Sequence, residues 1–102
     1  MTTREVLIAA QALIADPKHW TRGANARDAT GRWTNTYGNR AVSWCALGAV
    51  CRVSTMDEVR ADALGTLRGL AEADGSGLTE FNDSRRHAAV IELFDRAIKA
   101  AA

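Results

Sequence analysis

A mainly α, single-domain protein of four helices with one irregular arm is what this sequence predicts. Three observations carry that expectation: capping-box spacings at Thr2-x-x-Glu5 and Thr55-x-x-Glu58, apolar stripes at helical spacing, and a stretch over residues 18–41 where helical periodicity disappears. At 102 residues, 47% of them apolar, the chain can build one core and is short for two. We read residues 1–102 as one helical domain with its arm at 18–41.

Helix one should begin at Thr2, whose hydroxyl and the Glu5 carboxylate can each satisfy an orphan backbone N–H. Val6, Ala10, Leu13 and Ile14 form its inner stripe, with Leu7 at the border. Asp16-Pro17 stops it, because the residue before proline avoids the α region. The arm comes next, punctuated by Gly23, Gly31, Gly38 and four Asn or Asp residues, with room for one short hairpin turning at Ala29-Thr30-Gly31. Loops of this length in small domains usually serve a function or hold some structure. Trp20, Trp33 and Tyr37 suggest that this one is pinned to the body.

The second helix, about Val42 to Val53 with Ser43 as its cap, is apolar on nearly every face and should be central. Within it Trp44 supplies bulk and Gly48 permits close backbone approach. Thr55 opens the third helix, striped by Val59, Ala63, Leu67 and Leu70 and ended by Asp74-Gly75-Ser76-Gly77. After a linker from Leu78 to Asn82, Asp83 or Ser84 should cap a last helix whose inner residues are Val90, Phe94, Ala97 and Ile98, with Leu93 and Ile91 alongside.

No apolar run approaches the roughly 20 residues that cross a bilayer, and the N-terminus carries no secretory pattern, so we expect a soluble cytoplasmic protein with no membrane partner. The Asn82-Asp83-Ser84 sequon then carries no meaning. Cys45 and Cys51 on one helix would sit about 120° and roughly 9 Å apart, beyond disulfide reach. His19 and His87 stand far from both, no zinc spacing is present, and we expect neither metal nor cofactor. Net charge is +1, unevenly spread: residues 18–54 hold Lys18, Arg22, Arg27, Arg32, Arg40 and Arg52 against Asp28 alone.

Three constellations could carry function. Cys45 in the first turn of its helix, with Asp83 and His87 at i, i+4 spacing on a later one, could form a nucleophilic site. Against that, a cysteine between Trp44 and Ala46-Leu47 is ordinarily a buried, inert hydrophobe, and no hydrolase motif surrounds it. Asn82 and Asp83 read first as helix caps; placed beside the Cys45 turn, they could instead bind a small polar substrate. The arm mixes cations and rings in Trp20, Arg22, Arg27, Arg32, Trp33, Tyr37 and Arg40, as single-stranded nucleic-acid surfaces do. Its structural reading has Trp20 and Trp33 lidding the core while the arginines pair with acids of the C-terminal half.

Trp20-Thr21-Arg22-Gly23-Ala24, Ala26-Arg27-Asp28-Ala29-Thr30-Gly31, Trp44-Cys45-Ala46-Leu47-Gly48-Ala49 and Phe81-Asn82-Asp83, in that order, resemble a family of small uncharacterised bacterial and phage proteins common in actinobacteria. Arg22 stands where that pattern has glutamine, and Ser84-Arg85-Arg86-His87 replaces its proline-containing helix start. The resemblance implies a prokaryotic or phage cytoplasmic protein and transfers no catalytic residue. The expectation is a non-catalytic binding or regulatory module contacting a protein through the arm. Its alternatives are a Cys45-dependent hydrolase or transferase, and a single-stranded nucleic-acid binder. Near-neutral charge ranks protein above nucleic acid.

Overall fold

Thr2 starts the fold as its spacing predicts. In the computed structural model, which describes residues 1–101, Thr2 Oγ1 accepts from the Glu5 N–H at 3.1 Å and Glu5 Oε1 accepts from the Thr2 N–H at 2.9 Å. These bonds, chiefly the one from the Thr2 backbone, hold the Glu5 carboxyl below its ordinary pKa. Helix α1 (Thr3–Ile14) buries Val6, Leu7, Ala10 and Ile14, so Leu7 takes the inner place and Leu13 the border. Asp16 caps a single 3-10 turn, Pro17–His19, by accepting from the Lys18 N–H.

The arm holds more strand than the sequence suggests. β1 (Ala26–Arg27) pairs antiparallel with β2 (Ser43–Trp44), Ala26 opposite Trp44 and Arg27 opposite Ser43. Isolated bridges extend this pair on both sides, Trp20 with Trp44 and Arg27 with Trp33. The expected turn at Ala29-Thr30-Gly31 lies between Arg27 and Trp33, with Gly31 at φ 84°. Asp28 Oδ1 ties it by accepting from Thr30 N–H, Thr30 Oγ1–H and Arg32 N–H, and the Thr30 hydroxyl is the main reason its carboxyl titrates below the ordinary range.

Ser43 is extended within β2, so α2 (Ala46–Val53) starts later than predicted, with Cys45 as its N-cap. Ala46, Gly48, Ala49 and Val50 are buried, and the helix is central, packing on α1 and on the next two helices of the chain. The Thr55 box does not form. Helix α3 (Asp57–Ala73) begins after Met56 with no side-chain cap, while Asp57 and Glu58 complement its positive end. It ends where predicted, in a Schellman motif: Ser76 N–H reaches Ala71 C=O, Gly75 N–H reaches Glu72 C=O, and Gly75 sits at φ 88°.

Leu78–Ser84, expected as linker and cap, is a short helix, α4, burying Leu78, Phe81 and Asn82. Neither Asp83 nor Ser84 caps the last helix; Ser84 Oγ donates back to the Glu80 carbonyl at 2.7 Å. Helix α5 (His87–Ala100) starts after Arg86 and buries Val90, Leu93, Phe94 and Ala97. The described residues thus form five α-helices where four were expected, in a fold that is mainly α. No helix among them is long and apolar enough to cross a membrane.

Helices α1, α3 and α5 pack mutually, with α2 laid against α1 and α3, and with α4 joining α2, α3 and α5. Phe94, Leu7, Ile14 and Leu67 fill the centre. Leu67→Ala should therefore cost about 3 kcal/mol in urea unfolding through transfer and cavity terms, whereas Leu13→Ala at the border should cost about 1 kcal/mol. Equal losses would mean that the two faces of α1 and α3 are misassigned.

Candidate functional site

Asn82 is 1% exposed and spends every polar atom of its amide. Its Oδ1 accepts from Trp20 Nε1–H at 2.8 Å and from the Ala46 N–H at 3.0 Å. Its Nδ2 donates to the Thr21 carbonyl and to Asp83 Oδ1, both at 3.0 Å. Asp83 Oδ1 also accepts from the Gly23 N–H at 3.0 Å. One side chain thus joins the start of the arm, the first turn of α2 and α4, which are the places where the Trp20-Thr21, Trp44-Cys45-Ala46 and Phe81-Asn82-Asp83 motifs lie.

Asn25 completes this junction, and sequence reasoning missed it. Its backbone carbonyl accepts from the Cys45 N–H at 3.2 Å, and its Oδ1 accepts from the Cys45 thiol at 3.7 Å. The same carbonyl runs so close over α2 that a methyl on Gly48 would overlap it, with the carbonyl carbon at 2.9 Å. Gly48 is the signal for it, as a residue that permits close approach; what approaches is the arm.

Cys45 lies beside Asn82 and Asp83, as the substrate-binding reading required, but its environment suppresses reactivity. The residue is 3% exposed, and Sγ accepts from the Gly48 N–H at 3.3 Å as a helix cap. Burial pushes its thiol above the ordinary value, outweighing the Gly48 bond that lowers it, and the Asp83 charge adds to the rise. The folded state therefore holds this proton more tightly than the unfolded chain. That contribution to stability is intact below about pH 8.5 and declines as pH climbs through the folded value. Cys45→Ala should flatten the alkaline decline in urea-unfolding stability, and native Cys45 should alkylate slowly at neutral pH; rapid native labelling would contradict this environment.

The structure does not bring His87 into a triad. The break at Arg85-Arg86 puts Asp83 on α4 and His87 on α5, which removes their i, i+4 relation. His87 Nε2 donates to the Ile14 carbonyl at 2.7 Å, and its ring leans on Trp20 with centroids 5.3 Å apart. Cys51 is a half-buried free thiol.

The arm residues divide into two sets. Trp20 and Arg27 are framework: Trp20 lids the core, and Arg27 donates to Thr21 Oγ1 and to the Gly31 and Arg22 carbonyls. Arg22 reaches the Arg85 carbonyl while covering the Trp20 ring at 4.9 Å. Arg52 donates to the Thr36 and Gly38 carbonyls over the Trp44 ring, securing the far end of the arm. Arginine binding to carbonyls replaces the expected pairing with acids. The ion pairs among the described residues are Arg60 with Asp57 and Arg96 with Asp74, all outside the arm.

The second set faces out. Trp33, expected as a lid, is 71% exposed and Tyr37 53%. Arg32 and Arg40 are exposed, and neither side chain bonds within the described residues. Asp28 N–H to Arg32 C=O and Thr34 N–H to Ala26 C=O bracket the Arg27–Trp33 bridge, so the Trp33 backbone N–H and C=O point away from β1 along an open edge. A model of a "Family of unknown function (DUF6197)" matches residues 1–100. No curated protein and no solved structure matches the chain.

Proposed function

We propose, for a chain that belongs to the DUF6197 family of unknown function, a non-catalytic binding module that contacts a protein partner through the outward set of the arm: Trp33, Tyr37, Arg32 and Arg40. It would be a small cytoplasmic protein of bacterial or phage origin. The observation that carries this reading is two large aromatic side chains held in solvent by a segment anchored at Asn82, Asn25 and Arg52. Burying such a ring is worth about 1.5–3 kcal/mol, which the free protein forgoes. A fixed backbone spares a partner the cost of ordering the loop, and Trp, Tyr and Arg are the residue types that dominate interface energetics. The open backbone edge at Trp33 adds hydrogen-bonding groups a partner strand can use.

Support for the non-catalytic side comes from the buried, capping Cys45 and from Asn82, whose amide has no valence left for a substrate. The double change Trp33→Ala and Tyr37→Ala should abolish retention of a partner by the immobilised protein, a loss of tenfold or more, while leaving circular dichroism and thermal midpoint unchanged because neither ring is in the core. Undiminished retention by that variant, or hydrolysis of an activated ester that Cys45→Ser abolishes, would reverse the reading.

A further inference from the structure

The two exposed rings are mounted on different parts of the molecule. Trp33 rides the arm's own sheet: it bridges Arg27 of β1, and the bonds from Asp28 N–H to Arg32 C=O at 2.9 Å and from Thr34 N–H to Ala26 C=O at 3.2 Å hold its backbone on either side. Tyr37 has no strand beneath it. It stands in a turn closed by the Gly38 N–H on the Asn35 carbonyl at 3.0 Å, with its own N–H on Asn35 Oδ1 at 2.9 Å, and both of these bonds are internal to the turn.

Arg52 fixes that turn to the body. Its Nη1 donates to the Thr36 carbonyl at 3.1 Å and to the Gly38 carbonyl at 3.0 Å, so one nitrogen grips the backbone on both sides of Tyr37. Both carbonyls point in toward α2, while the tyrosine ring between them stays exposed. Arg52 lies in the last turn of the central helix, where its cation complements the negative helix end, and its guanidinium carbon stands 5.4 Å from the centroid of the Trp44 ring. Trp44 Nε1 also donates to the Thr36 carbonyl, at 3.1 Å, and the Ala41 N–H donates to the Gly38 carbonyl, at 3.3 Å. Each carbonyl therefore keeps a donor if Arg52 is removed, so no acceptor is orphaned and the cost to folding is small. What is lost is the second point of attachment: the turn can then pivot about the Thr36 to Trp44 bond.

We infer that Arg52 is a positioning residue of the contact surface, presenting Tyr37 to the partner from behind and leaving the presentation of Trp33 to the β1 bridge. The inference rests on the arm being a contact surface and divides that surface into one half ordered by strand pairing and one half ordered by α2. A turn that is loose in the free protein must be ordered by whatever binds it, so removing Arg52 weakens binding at nearly constant fold stability.

Tyr37 is the one tyrosine of the chain, so full-length protein labelled with 3-fluorotyrosine gives a single fluorine signal for it, and 15N relaxation reads the amides around it. Arg52→Met should shift and narrow that signal and lower the order parameters of residues 36–39 from about 0.85 to below about 0.6, with the Trp33 amide unchanged. Arg52→Lys, whose one nitrogen can meet the same two carbonyls, should recover part of both. Leu67→Ala should lower the thermal midpoint more than Arg52→Met does and move neither readout. Immobilised Arg52→Met should retain about tenfold less of the lysate protein that the Trp33 and Tyr37 double variant loses. An ordered Tyr37 turn in Arg52→Met, a lysine variant no better than the methionine one, or equal loosening by Leu67→Ala would each overturn the assignment. Undiminished retention by Arg52→Met with a loosened turn would overturn it too, while leaving the contact reading on Trp33; if the double variant keeps its partner, the contact reading falls and the assignment with it.

Discussion

Asn82→Leu should lower the free energy of unfolding by about 3–5 kcal/mol and release the start of the arm, because it leaves the Trp20 Nε1–H and the Ala46 N–H buried without acceptors, each worth about 1–3 kcal/mol. Leucine's greater apolar surface offsets only part of that. A domain of this size is stable by about 5–15 kcal/mol, so the variant should stand near the edge of folding. The measurement is urea unfolding followed by tryptophan fluorescence, which reports on Trp20 together with Trp33 and Trp44. Asn82→Asp supplies the comparison: it keeps the acceptor for Trp20 and Ala46, loses the donor to the Thr21 carbonyl, and sets a second carboxylate against Asp83. Its loss should shrink at acid pH, where protonation removes the repulsion. A loss below about 1 kcal/mol for the leucine variant would mean that the amide is ordinary surface chemistry.

Gly48→Ala should cost about 3 kcal/mol or more, where helix propensity alone predicts a gain of about 1 kcal/mol. The reversal comes from the Asn25 carbonyl, a backbone atom that cannot turn aside without giving up its bond from the Cys45 N–H and disturbing the adjoining β1 to β2 pair. Gly65 of α3 has open space around the position of its missing methyl, so Gly65→Ala should stabilise by about 0.5–1 kcal/mol. Thermal midpoints that move the same way for both glycines would contradict the close approach of the arm to α2.

Elements whose signals lie within a few residues were legible. The Thr2 cap, the Asp16-Pro17 stop, the Gly75 terminus and most of the inner faces of α3 and α5 arise from local backbone chemistry and apolar spacing, and the structure has them, with Leu64 and Ala71 buried on α3 where Val59 and Leu70 are only partly so, and Leu93 buried on α5 ahead of Ile98. Thr55 misled because a capping box describes a competent sequence, and here the packing of α3 starts the helix after Met56 instead. Ser43 misled because β2 claimed it: pairing with Arg27 holds it extended, which passes the cap to Cys45. Asn82 is the instructive miss. Asn and Asp before a helical run are ordinarily caps, and apart from the adjacent Asp83 the partners that Asn82 uses lie 36 to 62 residues away in sequence, a separation at which no periodicity speaks. The resemblance gathered the right motifs and could not say that they meet. Of the arm, the turn was readable; which rings face in and which face out was not, since what holds Trp20 inward is supplied by the distant β2, α4 and α5, through Trp44, Asn82 and His87.

The junction at Asn82 also sets an order of events during folding. The arm's attachment to it closes a span of 61 residues between Thr21 and Asn82, and the loop-closure entropy must be met before that contact returns anything. On a chain emerging from the ribosome, β2 and Arg52 of α2 can hold the middle and far end of the arm early, whereas its start at Trp20, Thr21 and Gly23 lacks the bonds to Asn82 and Asp83 until α4 arrives. Docking of the arm's start is thereby deferred until α4 has been made. In the finished protein the same dependence runs backward: a fluctuation that opens α4 unmoors the start of the arm with it, so residues 20–23 and α4 should exchange their amide protons as one cooperative unit.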